Sequence, residues 1–83
     1  MREYAKIATV DREANQARID AHRYFDPLWQ FGLMTRDEAY QELAKEMGLT
    51  RKQCHIADMT REQALSVREH AARIRERVSR GRP

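Results

Sequence analysis

Arg51, Lys52 and His55 follow Thr50 closely, where the opening turn of a helix would hold its side chains toward a groove of nucleic acid. Guanidinium and ammonium groups in such places contact phosphates and base edges. The residues before them point the same way. Ala44 is a small residue where two helices could touch, Gly48 a glycine at a sharp turn, Leu49 a plug for the corner and Thr50 a helix cap. Thr50-Arg51-Lys52-Gln53 has the form of a capping box, in which hydroxyl and Gln side chain satisfy each other's free helix amides. The expectation is a helix-turn-helix-like segment over Thr35–Ala57, with its second helix starting at Thr50. Arg68, Arg73, Arg75, Arg77 and Arg80 would add backbone contacts that weaken steeply with salt.

No other constellation suggests chemistry. His22, His55 and His70 are scattered, without the spacing of a metal site, and no glycine-rich phosphate loop is present. Cys54 stands alone, which precludes an internal disulfide and a cysteine-rich zinc finger within these residues, favours a reducing cytosol, and predicts a small packed hydrophobe. Asp26, Asp37, Asp58 and the glutamates read as caps and solvated faces. The expectation is a non-enzymatic protein with no metal and no cofactor, acting by contact.

Behind those residues stands a chain of 83 residues, 41% hydrophobic and 35% charged, with three glycines and two prolines. That balance predicts one small all-α domain over residues 1–80 and a frayed tail over 81–83. No apolar run approaches the ~20 residues of a membrane span, and the start of the chain lacks a secretory signal; the expected location is the cytoplasm. Residues 61–83 hold seven arginines against three glutamates, whereas residues 1–60 hold nine basic and ten acidic side chains. The positive excess, and any pull on phosphate or an acidic surface, therefore lies in the C-terminal segment.

Helical periodicity places a long first helix from about Lys6 to Tyr24, with Ile7, Val10, Ala14, Ala17, Ala21, Tyr24 and then Leu28 on one stripe. Asp26-Pro27 reads as a cap and first residue of a short helix that Gly32 ends. Four of the six aromatics fall between Tyr24 and Phe31, which marks the thickest part of a small core, with base stacking as the functional alternative. Thr35-Arg36-Asp37-Glu38 caps a helix that buries Ala39, Tyr40, Leu43, Ala44 and Met47 and ends at Gly48. Thr60 caps a last, arginine-rich helix to about Ser79, with Ala64, Val67, Ala71, Ile74 and Val78 inward and Glu69–Arg73 and Glu76–Arg80 as ion pairs. First and last helices carry matching stripes, so they should pair, within one chain or between two copies of a homodimer.

The run Ala21-His22, Phe25-Asp26-Pro27-Leu28-Trp29, Gly32, Met34-Thr35-Arg36, Glu38-Ala39-Tyr40 and Leu43-Ala44, with His55-Ile56 and Met59, resembles the C-terminal half of small phage and prophage zinc-finger-containing proteins of unknown function. The resemblance implies a phage-type origin and the helical fold. In that family a cysteine-rich zinc-binding segment precedes the helical part; nothing here matches it. The Ala14 stripe and the arginine-rich end lie outside the likeness.

Two functions follow as expectations. One is nucleic-acid binding through the Thr35–Ala57 segment. The other is an inhibitor that docks on a host protein complex, an anti-CRISPR or other anti-defence protein whose arginine-rich edge covers an acidic patch.

Overall fold

Alanine at every third or fourth place lets two helix backbones approach closely, and in the computed structural model that is how the first and last helices meet. The structure describes the backbone from Arg2 to Gly81 and the side chains from Arg12 to Gly81. Helix α1 spans Arg2–Phe25, α2 Pro27–Gln30, α3 Arg36–Met47 and α4 Arg61–Arg80, with a one-turn 3-10 helix at Ile56–Asp58 and no strand among the described residues. The domain is all-α. Glu13 lies opposite Arg61 and Tyr24 opposite Arg68, so α1 and α4 run in the same direction within one chain. Helix α3 lies against α4 in the opposite sense, Glu46 facing His70 and Glu42 facing Arg77.

The inward stripe of α1 is Ala14, Ala17, Ala21 and Phe25, continued by Leu28 of α2. Tyr24, assigned to that stripe from its spacing, is 44% exposed; Phe25, one residue on, is fully buried and takes its place. Ile7 and Val10 lie outside the described side chains. The core continues through Ala39, Tyr40, Leu43 and Ala44 of α3 and Ala64, Val67, Ala71 and Ile74 of α4. Phe25 packs on Tyr40 with ring centroids 4.6 Å apart, a contact worth about 1 kcal/mol beyond the area it buries.

Helix ends follow their residues. Thr35 and Thr60 close full capping boxes with Glu38 and Gln63. Gly48, at φ +69, ends α3, and the next amide, that of Leu49, bonds back to the Ala44 carbonyl. Asp26 does not cap α2 with its side chain: its backbone is helical, its own amide still bonds His22, and its carboxylate faces His22 Nδ1 at 3.1 Å. Pro27 supplies no amide, so the chain passes from α1 to α2 with a bend and Gly32, at φ +81, follows.

The second helix expected at Thr50 does not form. The Thr50–Gln53 box closes, with mutual bonds of 3.1 and 3.2 Å, but only a turn follows it. Burial explains why. Cys54, Ile56 and Met59 are each at most 2% exposed, and residues two apart on an α-helix point about 200° from one another. His55, extended at φ −133 and ψ 119, lets both neighbours face the core. The segment is a connector that sends Cys54, Ile56 and Met59 into the core and not a recognition helix.

Candidate interaction face on helix α4

Helix α4 presents two basic flanks with opposite fates. On the flank toward α3, His70, Arg73 and Arg77 surround Glu46. His70 Nδ1 and Arg73 Nε stand 3.2 and 3.0 Å from Glu46 Oε1, and Arg77 Nη1 stands 3.0 Å from Oε2, while Arg77 Nη2 donates to Glu42. His70 Nδ1 is also 3.2 Å from Arg73 Nη2, so it can serve as donor to Glu46 or acceptor from Arg73, not both. Donation from His70, then from Arg73 and Arg77, holds the Glu46 carboxyl down at about 2. The same carboxylates push the Arg77 pKa further up. Arg73 and Arg77, expected to meet a partner, are committed to fastening α4 onto α3.

On the other flank Arg61, Arg68 and Arg75 recur every seven residues, roughly 10.5 Å apart along the axis. Arg61 meets Glu13 at 3.9 Å, with both side chains more than half exposed, a pair worth under about 1 kcal/mol. Arg68 lies over the Tyr24 ring, 4.8 Å from its centroid. Neither Arg68 nor Arg75 makes an ion pair among the described residues. Arg80 pairs with Glu76 at 2.7 Å. The expected Glu69–Arg73 pair is replaced by Arg73–Glu46.

Between this flank and the α1–α2 bend lies an open groove of ≈ 820 Å³. Leu28 and Ala71 form its floor, Tyr24 and Phe31 its aromatic wall, and Arg23, Arg68 and Arg75 its rim. Phe31 is 82% exposed. The aromatic cluster is therefore divided: Phe25 serves the core, and Tyr24 and Phe31 face solvent. Sequence reasoning missed Arg23, Tyr24 and Phe31 as site residues; the signal was the seven-residue arginine spacing facing a Phe-Gly corner.

The residues expected to read a groove lie elsewhere. Arg51 Nε donates to Asp37 at 3.0 Å, its guanidinium covers the Tyr40 ring at 4.8 Å, and it reaches the Cys54 carbonyl. It braces the connector. Lys52 and His55 are exposed on the turn, and no helix aligns them. Cys54 is fully buried, and burial pushes its thiol up.

Among families, the model of DUF3268, a zinc-finger-containing domain, matches residues 3–74. The match takes in the alanine stripe of α1 and most of α4, which the likeness read from residues 21–59 leaves out. No curated protein and no solved structure matches the chain. Zinc in such domains takes four ligands, mostly thiolates and imidazoles. Among the described residues no three His, Cys, Asp or Glu side chains converge, and the one thiol is sealed in the core. The residues described here do not fit a zinc ion. No described helix is long and apolar enough to cross a membrane.

Proposed function

We propose that this chain, which belongs to the family of zinc-finger-containing domains matched over residues 3–74, is a non-enzymatic nucleic-acid-binding module that engages phosphates through the Arg61–Arg68–Arg75 flank of α4. One observation carries the reading: on that flank Arg68 and Arg75 have no carboxylate partner among the described residues, whereas Arg73 and Arg77, on the same helix, are held by Glu42 and Glu46. Two unneutralised guanidinium groups, Arg68 and Arg75, in line with Arg61, which only an exposed 3.9 Å contact to Glu13 offsets, attract a polyanion, and Arg23 across the groove, 4.0 Å from Asp20, adds a further exposed cation. The family's zinc-finger description is consistent with a nucleic-acid partner.

Titration of a labelled oligonucleotide at several salt concentrations tests it. Binding should weaken as salt rises, and the double variant Arg68→Ala/Arg75→Ala should lower the slope of log affinity against log salt by roughly 0.7–0.9 per lost contact. Lys52→Ala should leave that slope unchanged. Absence of binding at low salt, or an unaltered slope in the double variant, refutes the proposal. A host protein complex bound through the same arginines, with no nucleic acid bound, would replace it with the docking-inhibitor function.

A further inference from the structure

We infer that the groove beside Tyr24 and Phe31 holds an unpaired base, so that the strand bound along α4 is single and not duplex. The inference rests on the nucleic-acid reading above and deepens it.

Phe31 carries the argument first. An aromatic side chain left 82% exposed forgoes the burial such rings ordinarily gain. It follows a one-turn helix anchored by Leu28, which is 3% exposed, and precedes Gly32 in the left-handed region. Tyr24 stands on the same groove and carries the Arg68 guanidinium over its ring. A planar cation on an aromatic face is the stacking arrangement that receives a further planar ring.

Charge favours an anionic occupant. The groove's rim is cationic at Arg23, Arg68 and Arg75, and its lining acid, Glu76, is paired with Arg80. The volume, ≈ 820 Å³, falls in the range of about 300–1,000 Å³ that small organic ligands fill. Leu28 and Ala71, with Pro27, Leu33 and Ala72 beside them, give the groove an apolar bed on which a flat ring can lie. A single strand matches both halves of the site: its phosphates meet the arginines, and its base faces meet the aromatics. In a duplex those faces are stacked away, and only base edges and phosphates are offered.

Fluorescence anisotropy with a labelled oligothymidylate of about a dozen nucleotides, and with the same strand annealed to its complement, tests the inference. The single strand should bind more tightly, and Phe31→Ala should weaken it about five- to one-hundred-fold while leaving duplex affinity unchanged. Phe31→Trp should retain single-strand affinity. The exposure of Phe31 makes these variants safe to fold, which a helical melting curve verifies. Equal or tighter duplex binding, or single-strand affinity indifferent to Phe31→Ala, overturns the inference and leaves the arginine-flank reading standing. Failure of both probes to bind removes both. Self-association that Phe31→Ala abolishes, with oligonucleotide affinity unchanged, assigns the groove to a second copy of the chain and overturns the inference.

Discussion

Glu46 is a point at which pH should enter the stability of this fold. Its carboxylate accepts from His70, Arg73 and Arg77, and those bonds lower its pKa from 4.5 to about 2. Glu46 therefore binds its proton more weakly folded than unfolded. The stabilisation is complete above pH 4.5 and is lost as pH falls through that value toward 2. At about 1.4 kcal/mol per tenfold change in proton affinity, the bound on this contribution is ~3.5 kcal/mol. Arg73 and Arg77 are 56% and 48% exposed, and solvent screening of such cations reduces the expected figure to roughly 1–2 kcal/mol. Glu46→Gln removes the charge while keeping the shape. Urea unfolding followed by helical circular dichroism, near neutral pH and again close to pH 2, gives the difference. Near neutral pH the variant should be ~1–2 kcal/mol less stable than the natural chain, and close to pH 2 the two should converge. The remaining carboxylates are shared by both proteins and cancel. A gap between the two chains that does not close on acidification refutes the reasoning.

Four further substitutions test the frame. Gly48→Ala should cost about 1 kcal/mol in urea unfolding, wholly from its left-handed backbone, because a Cβ there meets nothing within 4 Å. Ala21→Leu, at a core position of α1 only 2% exposed, should destabilise by ~1–3 kcal/mol through overpacking and lower the melting temperature accordingly. Thr60→Ala should cost about 1 kcal/mol by uncapping a 20-residue helix, and Thr50→Ala, whose box closes a single turn, should cost less in the same melts.

The fold was largely legible because its signals are local. The Thr35 and Thr60 boxes, Gly48 and the alanine stripe each act through neighbours three or four residues away, and each stands where its spacing places it. The Thr50 box has the same local signal, yet the helix fails because Cys54, Ile56 and Met59 must reach a core assembled from distant segments. The same distance hid the sorting of the arginines. Arg73 and Arg77 differ from Arg68 and Arg75 only in the face of α4 they occupy, and which face meets an acidic neighbour depends on where α3 lies. Tyr24 and Phe25 show the problem at its narrowest: adjacent aromatics on one helix point about 100° apart, and only one of them meets the core.

The parallel alignment of α1 with α4 has a consequence for how the chain reaches its native state. Arg18 on α1 donates to the Met59 carbonyl across 41 residues, and Glu13 meets Arg61 across a longer interval still. Contacts of that separation carry a large loop-closure entropy and form after shorter-range ones. The Phe25–Tyr40 contact and the α3–α4 contacts, the latter 24 to 35 residues apart, should therefore form first, with the α1–α4 pairing closing last. During synthesis from the amino end, α1 must wait with its small-residue edge uncovered until most of the last helix has emerged.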